Sequence, residues 1–231
     1  HRQRGHEVFI VLAATDHYRG VGGVWQEESM MDEVATPEAF ARNPKCVWDW
    51  HSEKRARLAA VQPNPGHRAL AALERQVSNR GGRFLLATQN VDGLHQQAGS
   101  WNVLELHGSL LRVRCADCGG SRPIGFEQMP EPAKCPDCCG QMRPDVVWFG
   151  EALDEDIFRT AIRAVVSSEV FMTVGTSSVV YPAAGLIEAA ADGDPTVIEV
   201  NLEPTAVTEL ADIALHGKAG DILPKLVVSE P

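Results

Sequence analysis

The sequence predicts an α/β fold, a doubly wound parallel sheet of Rossmann-like type with a smaller inserted lobe. Short apolar runs rich in β-branched residues recur along the chain, and stretches of helical period separate them. Because strands that helices cover on both faces are apolar throughout, this alternation favours a buried parallel sheet. Five of the six cysteines crowd into one short stretch that interrupts the alternation, which indicates an insertion.

Four apolar runs are typical of buried strands: Val8–Leu12, Phe84–Thr88, Val170–Val174 and Thr196–Val200. Amphipathic stretches at about residues 66–79, 154–166 and 183–191 predict the helices between them. Ligands of doubly wound sheets bind outside the carboxyl ends of the strands. The residues that follow the strands are small or polar, as a ligand crevice requires: Gln89, Asn90, Asp92, Gly175, Thr176, Ser177 and Asn201.

Two segments lie outside this alternation. One has a helical pattern rich in charge, and the other holds the paired cysteines. We expect them to form the smaller lobe, as a helical module and a zinc-ribbon-like module. The predicted boundaries are 1–28, 63–110 and 144–231 for the nucleotide-binding domain, 29–62 for the helical module and 111–143 for the zinc module.

Composition and charge narrow the range of partners. The chain has 231 residues, of which 44% are hydrophobic and 23% charged, the ordinary mix of a globular protein. A net charge of −10 repels phosphate backbones, so we expect no nucleic-acid partner, whereas a cationic protein substrate is compatible with it. No apolar run approaches the roughly 20 residues that cross a bilayer, and no secretory signal is visible. We therefore predict a cytoplasmic protein without a membrane partner.

The cysteine spacing predicts a metal site. Two C-x-x-C pairs, Cys115 with Cys118 and Cys135 with Cys138, have sixteen residues between them. Four thiolates at this spacing suit tetrahedral zinc and leave no position for a water ligand, so we expect one structural zinc per chain. Two disulfides are the alternative, but a reducing compartment disfavours them. Cys139 could replace Cys138 as fourth ligand, although the repeated spacing favours Cys138, and Cys46 is expected to be a small buried apolar residue.

Two histidines stand at positions that suit catalysis. His95 ends the segment after the second predicted strand, and His107 precedes Gly108-Ser109. Either histidine alone is more often a surface or hydrogen-bonded core residue. His107, however, lies at a predicted strand end that opens on a cleft, and its imidazole titrates near neutrality, which suits a general base. The segment Gly175–Ser177 is either a simple strand-ending turn or a loop that binds phosphate or ribose.

Taken together, these motifs resemble the sirtuin family, the NAD-dependent protein-lysine deacylases. The matching segments occur in the family's order from about residue 8 to about residue 226: Tyr18–Gly20, Thr88–His95, His107–Ser109, the two cysteine pairs, Arg143–Glu151 and Gly175–Ala183. Val147–Glu151 and Pro182-Ala183 are most similar to the bacterial-type, class III-like branch, which includes desuccinylases.

The resemblance implies NAD as cofactor and acyl-lysine proteins or peptides as substrates, with nicotinamide, free lysine and an acylated ADP-ribose as products. Acetyl groups, and succinyl groups as an open alternative, would leave the lysine. His107 matches the catalytic base, which activates a ribose hydroxyl after the substrate amide oxygen attacks C1′ of the nicotinamide ribose. Val147, Phe149 and Gly150 resemble the strand that pairs with the substrate peptide. The cofactor-binding matches are Tyr18, Arg19, Gln89, Asn90, Asp92, Gly175, Thr176, Ser177, Asn201 and Ala219.

The sequence departs from the family after the first strand. The family's Gly-Ala-Gly-x-Ser segment, which approaches the pyrophosphate, is absent between Ala13 and Tyr18, and about eight residues are missing there. A true deletion would leave NAD weakly held. The alternative is that the printed sequence joins the two ends of an omitted loop. We expect omission, because the other NAD-side motifs are intact.

A second departure concerns the acyl group. Desuccinylating members carry Tyr-x-x-Arg in the helical lobe, and His51 and Lys54 stand at the equivalent positions. Lysine keeps the charge that a succinyl carboxylate needs but lacks the bidentate fork of arginine. The alternative for both residues is an exposed, solvated helix face, and for Arg55 and Arg57 this is what we expect.

Two rival functions remain open from the sequence. An ADP-ribosyltransferase or NAD hydrolase would use the same cleavage at C1′, although the intact Val147–Glu151 segment favours peptide substrates. A non-catalytic NAD- or peptide-binding module would result if the glycine-rich segment is truly deleted.

Overall fold

The computed structural model describes residues 8–13, 32–126, 133–176, 185–191 and 193–227. Its strands are β1 (Val8–Ala13), β2 (Arg83–Thr88), β3 (Val103–Glu105), β4 (Gly108–Cys115), β5 (Ser121–Pro123), β6 (Met142–Val146), β7 (Val170–Val174), β8 (Thr196–Asn201) and β9 (Ile213–His216). Its helices are α1 (Pro37–Arg42), α2 (Pro44–Leu58), α3 (Pro65–Asn79), α4 (Leu94–Gln97), α5 (Glu155–Val166), α6 (Gly185–Ala191) and α7 (Ala219–Leu226). The predicted α/β class is confirmed, and each predicted strand and helix is found, except that residues 183 and 184 of the third predicted helix lie outside the described residues.

Six strands form a parallel sheet in the order β3-β2-β1-β7-β8-β9. The order reverses between β1 and β7, where Ala13 pairs with Val174. In doubly wound sheets a crevice opens at this point, outside the carboxyl ends of the strands. Because Ala13 also pairs with Thr88, the residues that follow β1, β2 and β7 share one edge of the sheet.

Helices cover both faces of this sheet. On one face, Leu12 and Phe171 pack with Ala161 of α5. On the other face, Ala13 packs with Leu70 of α3. Consecutive strand residues point to opposite faces, which is why Leu12 and Ala13 belong to different clusters. Among the described residues, none of the helices combines the length and the apolar character that a membrane span requires.

The helix starts follow the local sequence. Asn64 accepts the backbone N–H of His67 at 3.1 Å, and Nδ1 of His67 accepts the N–H of Asn64 at 3.2 Å, with Pro65 as the first residue of α3. Asp154 accepts two N–H groups of the first turn of α5, at 2.9 and 3.0 Å. Such caps stabilise a helix by about 1 kcal/mol each. They set where the helices of the two opposite faces begin.

A three-stranded antiparallel sheet, in the order β5-β4-β6, forms the second sheet. Gly108 begins β4 directly after the turn from β3, and it pairs with Val146. A Cβ at Gly108 would lie 2.1 Å from the carbonyl oxygen of Asp145, and its φ is +77°, so this junction requires glycine. The small sheet extends from 108 to 146, three residues beyond each predicted end of the zinc module.

The helical module packs on the small sheet and on the segment that follows β6. Phe40 of α1 and Val47 of α2 lie in one apolar cluster with Leu110 and Trp148. The prediction that Cys46 is buried is wrong, because its side chain is exposed. Neighbouring side chains on a helix point about 100° apart, so Cys46 faces solvent while the adjacent Val47 faces the core.

Candidate active site

Side chains join the carboxyl ends of β2 and β7. The N–H of Gln89 donates to the carbonyl of Ala13 at 2.9 Å, which continues the β1–β2 pairing by one residue. Nε2 of Gln89 donates to Oγ1 of Thr176 at 3.4 Å, across the point where the strand order reverses. Oγ1 of Thr88 accepts the N–H of Asn90 at 3.1 Å and helps to turn the chain away from the sheet. The structure therefore brings together Gln89 and Thr176, two candidates that are distant in sequence.

The next two candidates, Asn90 and Asp92, are each 4% exposed. Oδ1 of Asp92 accepts the N–H of Leu94 at 2.9 Å, which closes the turn that starts α4. Gly93 within this turn has φ +72°. A buried amide and a buried carboxylate beyond a strand end are typical of a site in which a few polar groups orient a ligand.

The ends of β7 and β8 form the second half of the crevice. Gly175 adopts φ +62° at the end of β7. Asn201 is 8% exposed, and its Nδ2 donates to the carbonyl of Thr176 at 2.8 Å. The carbonyl of Asn201 accepts the N–H of Gly217 at 2.8 Å, just before Ala219 begins α7. These contacts bring four of the cofactor-binding candidates, Gly175, Thr176, Asn201 and Ala219, to one edge of the sheet.

His107 occupies the turn between β3 and β4, where the two sheets join. Its Nδ1 lies 3.2 Å from the carbonyl oxygen of Gln89. A carbonyl can only accept, so we assign the ring proton to Nδ1, which leaves Nε2 of the neutral ring able to take a proton. Burial lowers the pKa of His107, an effect that the Gln89 carbonyl partly offsets. The neutral, basic form therefore prevails at pH 7.

The predicted substrate strand, residues 147–150, is joined to the His107 turn. The N–H of Val147 donates to the carbonyl of His107 at 2.9 Å. Trp148 is 3% exposed and Phe149 is 54% exposed, so the segment presents one side to the chain and the other to solvent. A partly exposed segment, which turns at Phe149 and Gly150, thus lies one hydrogen bond away from the backbone of the candidate base.

Four of the clustered cysteines meet at one point. The Sγ atoms of Cys115, Cys118, Cys135 and Cys138 all lie within 4.8 Å of one another. Two of these separations are 3.5 and 3.8 Å. Sulfurs bound to a tetrahedral zinc stand about 3.8 Å apart, so the donor set and its spacing fit zinc. Cys139 is exposed and does not belong to this group of four.

Both cysteine pairs are built on the same backbone turn. The N–H of Cys115 donates to the carbonyl of Gly120 at 2.9 Å, and the N–H of Cys135 donates to that of Gly140 at 2.7 Å. Cys115 and Cys135 share an apolar cluster with Val113 of β4. The metal ligands and the core of the small sheet therefore form one unit.

The candidate acyl-binding residues lie on α2. His51 is 1% exposed, its Nδ1 lies 2.8 Å from the carbonyl of Val47, and its Nε2 accepts the indole N–H of Trp148 at 3.4 Å. Burial lowers the pKa of His51 to about 4, so the ring is neutral at pH 7. Nζ of Lys54 lies 4.9 Å from the centroid of the Trp50 ring. His51 thus contacts the substrate segment through Trp148.

Arg55 contradicts the expectation of an exposed helix face. Its side chain is 1% exposed, and its guanidinium donates to the carbonyl of Leu110 at 3.5 Å. Arg55 lies one helical turn beyond His51, on the same face, and this face packs on β4. Arg57 points away from the sheet, is exposed as predicted, and pairs with Glu53.

Comparisons with known proteins decide the family. A family model described as the Sir2 family matches residues 12–182, which is more than half of the chain. The chain belongs to the Sir2 family. NAD-dependent protein deacylase 2 of Pyrobaculum aerophilum is 46% identical over 210 residues, covering 91% of this chain and 82% of the relative. This Sir2-family chain is an NAD-dependent protein deacylase, and the sequence-based prediction of its activity is confirmed.

Solved structures agree with the Sir2 assignment. The crystal structure of a Sir2 homolog in complex with NAD is 39% identical, covers 95% of this chain and 87% of that chain, and gives a TM-score of 0.82. The structure of Sir2Af2 bound to a myristoylated histone peptide is 34% identical, covers 95% and 89% of the two chains, and gives a TM-score of 0.72.

Part of the predicted Sir2 cofactor site lies outside the described residues. Tyr18, Arg19 and Ser177 are in this group, and so is the position at which the glycine-rich segment is missing from the sequence. The roles of the individual site residues stay predictions.

Two residues of this Sir2-family enzyme received no role from the sequence. Arg143 and Glu151 form an ion pair across the substrate segment. Gly150, with φ +83°, ends that segment immediately before Glu151. Arg143 and Glu151 both belong to the 143–151 motif, on which the family resemblance partly rests. Their opposite charges flank the proposed peptide-binding strand, and this was the signal that could have identified them.

Proposed function

We propose that this deacylase binds NAD in the crevice between β1 and β7 and an acyl-lysine peptide along residues 147–150, with His107 as the general base where the two sites meet. The observation that carries the proposal is the double connection of His107. Its ring contacts the carbonyl of Gln89, and its own carbonyl accepts the N–H of Val147. One turn of the chain therefore holds the base against the cofactor side and the peptide side at once.

When bound, NAD supplies an activated ribose carbon from which nicotinamide leaves and to which the acyl oxygen is transferred. In this proposal Nε2 of His107 takes the proton of a ribose hydroxyl, and the Gln89 carbonyl holds the ring in the tautomer that this step needs. Gln89, Asn90 and Asp92 orient the nicotinamide half. The remaining cofactor contacts proposed are Tyr18, Arg19, Gly175, Thr176, Ser177, Asn201 and Ala219.

The peptide would add a strand to residues 147–150 through particular backbone groups. The N–H groups of Val147, Trp148 and Phe149 already donate to acceptors within the chain. Within the described part of the chain, the carbonyls of Val147 and Phe149 and the N–H of Gly150 are therefore the groups available to a peptide. The similar protein whose structure holds a myristoylated histone peptide supports a peptide as the substrate class.

The four clustered cysteines indicate the compartment in which the enzyme works. Cysteines that bind zinc must stay reduced, and all six cysteines of this chain are free of disulfide bonds. We propose a cytoplasmic location, with acyl-lysine proteins of that compartment as substrates.

Acyl preference is tested by Lys54→Met. A succinyl group ends in a carboxylate, and Lys54 supplies a cation for it without the bidentate fork of arginine. Both ring nitrogens of His51 already have hydrogen-bond partners within the chain, so His51 would only shape the pocket. We expect the wild type to process both acetyl and succinyl peptides. Lys54→Met should lower kcat/KM for the succinyl peptide by about tenfold or more and leave the acetyl value within a few-fold.

Arg57→Met is the matched control, because Arg57 is an exposed cation one turn further along the same helix. It should leave the ratio of succinyl to acetyl activity unchanged. Equal slowing of both reactions by Lys54→Met would make Lys54 a structural residue. Absence of succinyl activity in the wild type would leave the protein a deacetylase only.

The missing glycine-rich segment is tested by peptide mapping of the protein purified from its natural gene. If a loop is omitted between Ala13 and Tyr18, the peptide that contains these two residues is about eight residues longer than the printed sequence gives. We expect the longer peptide, together with NAD consumption in the presence of an acetyl-lysine peptide. A peptide of the printed length would establish a true deletion, and NAD should then bind weakly.

A further inference from the structure

Arg143 and Glu151 close the two ends of the substrate segment, residues 147–150. Arg143 stands in β6 and is 6% exposed. Its two terminal nitrogens donate to the two carboxylate oxygens of Glu151, the second at 2.9 Å, which makes a bidentate pair. The same nitrogen that makes the second bond also donates to the carbonyl of Val146 at 2.9 Å. One guanidinium therefore holds the residue before the segment and the residue after it.

Glu151 in turn holds the middle of the segment. Its Oε2 accepts the N–H of Trp148 at 2.8 Å, and its own N–H donates to the carbonyl of Trp148 at 3.1 Å. Nη2 of Arg114 lies 3.3 Å from both carboxylate oxygens. Burial alone would raise the pKa of Glu151, but the hydrogen bonds from Arg143 and Trp148 outweigh it and lower the pKa. The carboxylate is ionised at neutral pH and binds both cations as an anion.

The aromatic ring at the centre of the segment is held from two sides. The Arg143 guanidinium lies 3.3 Å from the centroid of the Trp148 ring, a cation–π contact. The ring of Trp148 also packs on Phe40 with a centroid separation of 5.2 Å, and its N–H donates to His51. The buried side of the segment is thus bound to the small sheet and to the helical module, while Phe149 stays exposed.

We propose that Arg143 and Glu151 are positioning residues, which hold the backbone of residues 147–150 in the conformation that an acyl-lysine peptide adds to. The proposal rests on the proposed peptide site. A segment that is ordered before binding loses little conformational entropy when the peptide pairs with it, so the arginine–glutamate pair should act on peptide affinity. The NAD crevice lies on the other side of His107 and should respond little.

The test compares Glu151→Gln and Arg143→Lys with the wild type in the full chain. Glutamine keeps the shape of Glu151 but loses its charge, and lysine keeps the charge of Arg143 but loses the fork that reaches both oxygens. In each variant we expect the KM for an acetyl-lysine peptide to rise by about tenfold or more, with kcat and the KM for NAD within threefold. Zinc content should stay at one per chain.

Arg112→Lys is the matched control. Arg112 is an arginine of the same small sheet, and it pairs with Glu105 and Asp145. Within the described part of the chain, these ion pairs do not involve residues 147–151. This variant should leave the peptide KM within twofold. If Arg112→Lys raises the peptide KM as much as Arg143→Lys does, the effect reports general loosening of the sheet and the positioning role is overturned.

Gly150→Val separates this proposal from the peptide site on which it rests. Gly150 has φ +83° with open space around it, so valine strains the segment backbone without clashing with a neighbour. An unchanged peptide KM in Gly150→Val would overturn the peptide site itself. A raised KM in Gly150→Val, with an unchanged KM in Glu151→Gln and Arg143→Lys, would overturn only the positioning role. If Glu151→Gln and Arg143→Lys lower kcat equally for all peptides and leave the peptide KM unchanged, the positioning role is likewise overturned.

Discussion

Replacing His107 with alanine should lower kcat/KM for an acetyl-lysine peptide by about 10²–10⁴-fold, the usual cost of losing a general base. The reason is local: Nδ1 faces the Gln89 carbonyl at 3.2 Å, so Nε2 is the ring nitrogen that can take the ribose proton. Alanine removes that nitrogen but keeps the backbone carbonyl, which still accepts the N–H of Val147. Steady-state kinetics on the purified variant measure the loss.

Two further measurements show that the fold survives in His107→Ala. Bound zinc should stay at one per chain, and the dissociation constant for NAD should stay within a few-fold, because the ring does not hold either sheet together. A variant that keeps more than a tenth of the wild-type kcat/KM would show that His107 is not the base.

The pH profile gives a second signature of the same residue. Burial lowers the pKa of His107 below the usual histidine value of about 6.5. A base works in its unprotonated form, so kcat/KM should stay constant down to about pH 6.5 and fall only below it. The acid limb should vanish in the residual activity of His107→Ala.

Loss of activity through acid unfolding must be distinguished from the acid limb of the kcat/KM profile. Burial lowers the folded-state pKa of His51 to about 4 and of His95 to about 3, the latter with a contribution from the ring of His67. In the unfolded chain these imidazoles take up protons near pH 6.5, so their contribution to stability is complete above that pH and is lost as the pH falls towards 4 and 3. Melting temperatures at each pH identify the range in which the enzyme is folded.

Replacing Cys135 with serine should release zinc and unfold the small sheet. Cys135 is 1% exposed and shares its apolar cluster with Val113 and Met142, so an incomplete metal site exposes the core of β4 and β6. Activity should fall to the level of His107→Ala, because β4 begins directly after His107 and β6 leads into residues 147–150. Metal analysis and circular dichroism report the two structural losses.

Cys139→Ser is the control for the metal site. Cys139 adjoins Cys138 but is exposed and outside the group of four sulfurs, so this variant should keep one zinc per chain and full activity. Loss of zinc in Cys139→Ser, or a wild type that contains none, would contradict the ligand set.

Two edge strands show where sequence patterns become too short to predict structure. β3 has three residues and β9 has four, and both lie at the outer edges of the parallel sheet. Segments of this length show neither the continuous apolar character of a buried strand nor a clear alternation. The central strands were predictable because their neighbours on both sides bury them.

By itself the sequence determined the features that depend on residues close together in the chain. The apolar runs of the central strands, the C-x-x-C spacing of the zinc ligands, and the glycine after His107 are all local patterns, and local patterns record local geometry. The same holds for the family motifs, which are short segments in a given order.

Only the tertiary structure decided which polar side chains are buried and what they contact. Arg55 is buried because its guanidinium donates to the carbonyl of Leu110 on β4, a partner 55 residues further along the chain. Gln89 reaches Thr176 across 87 residues because the strand order reverses between β1 and β7. Burying a polar group is favourable only where a partner satisfies it, and the partner's position is a property of the fold and not of the neighbouring sequence.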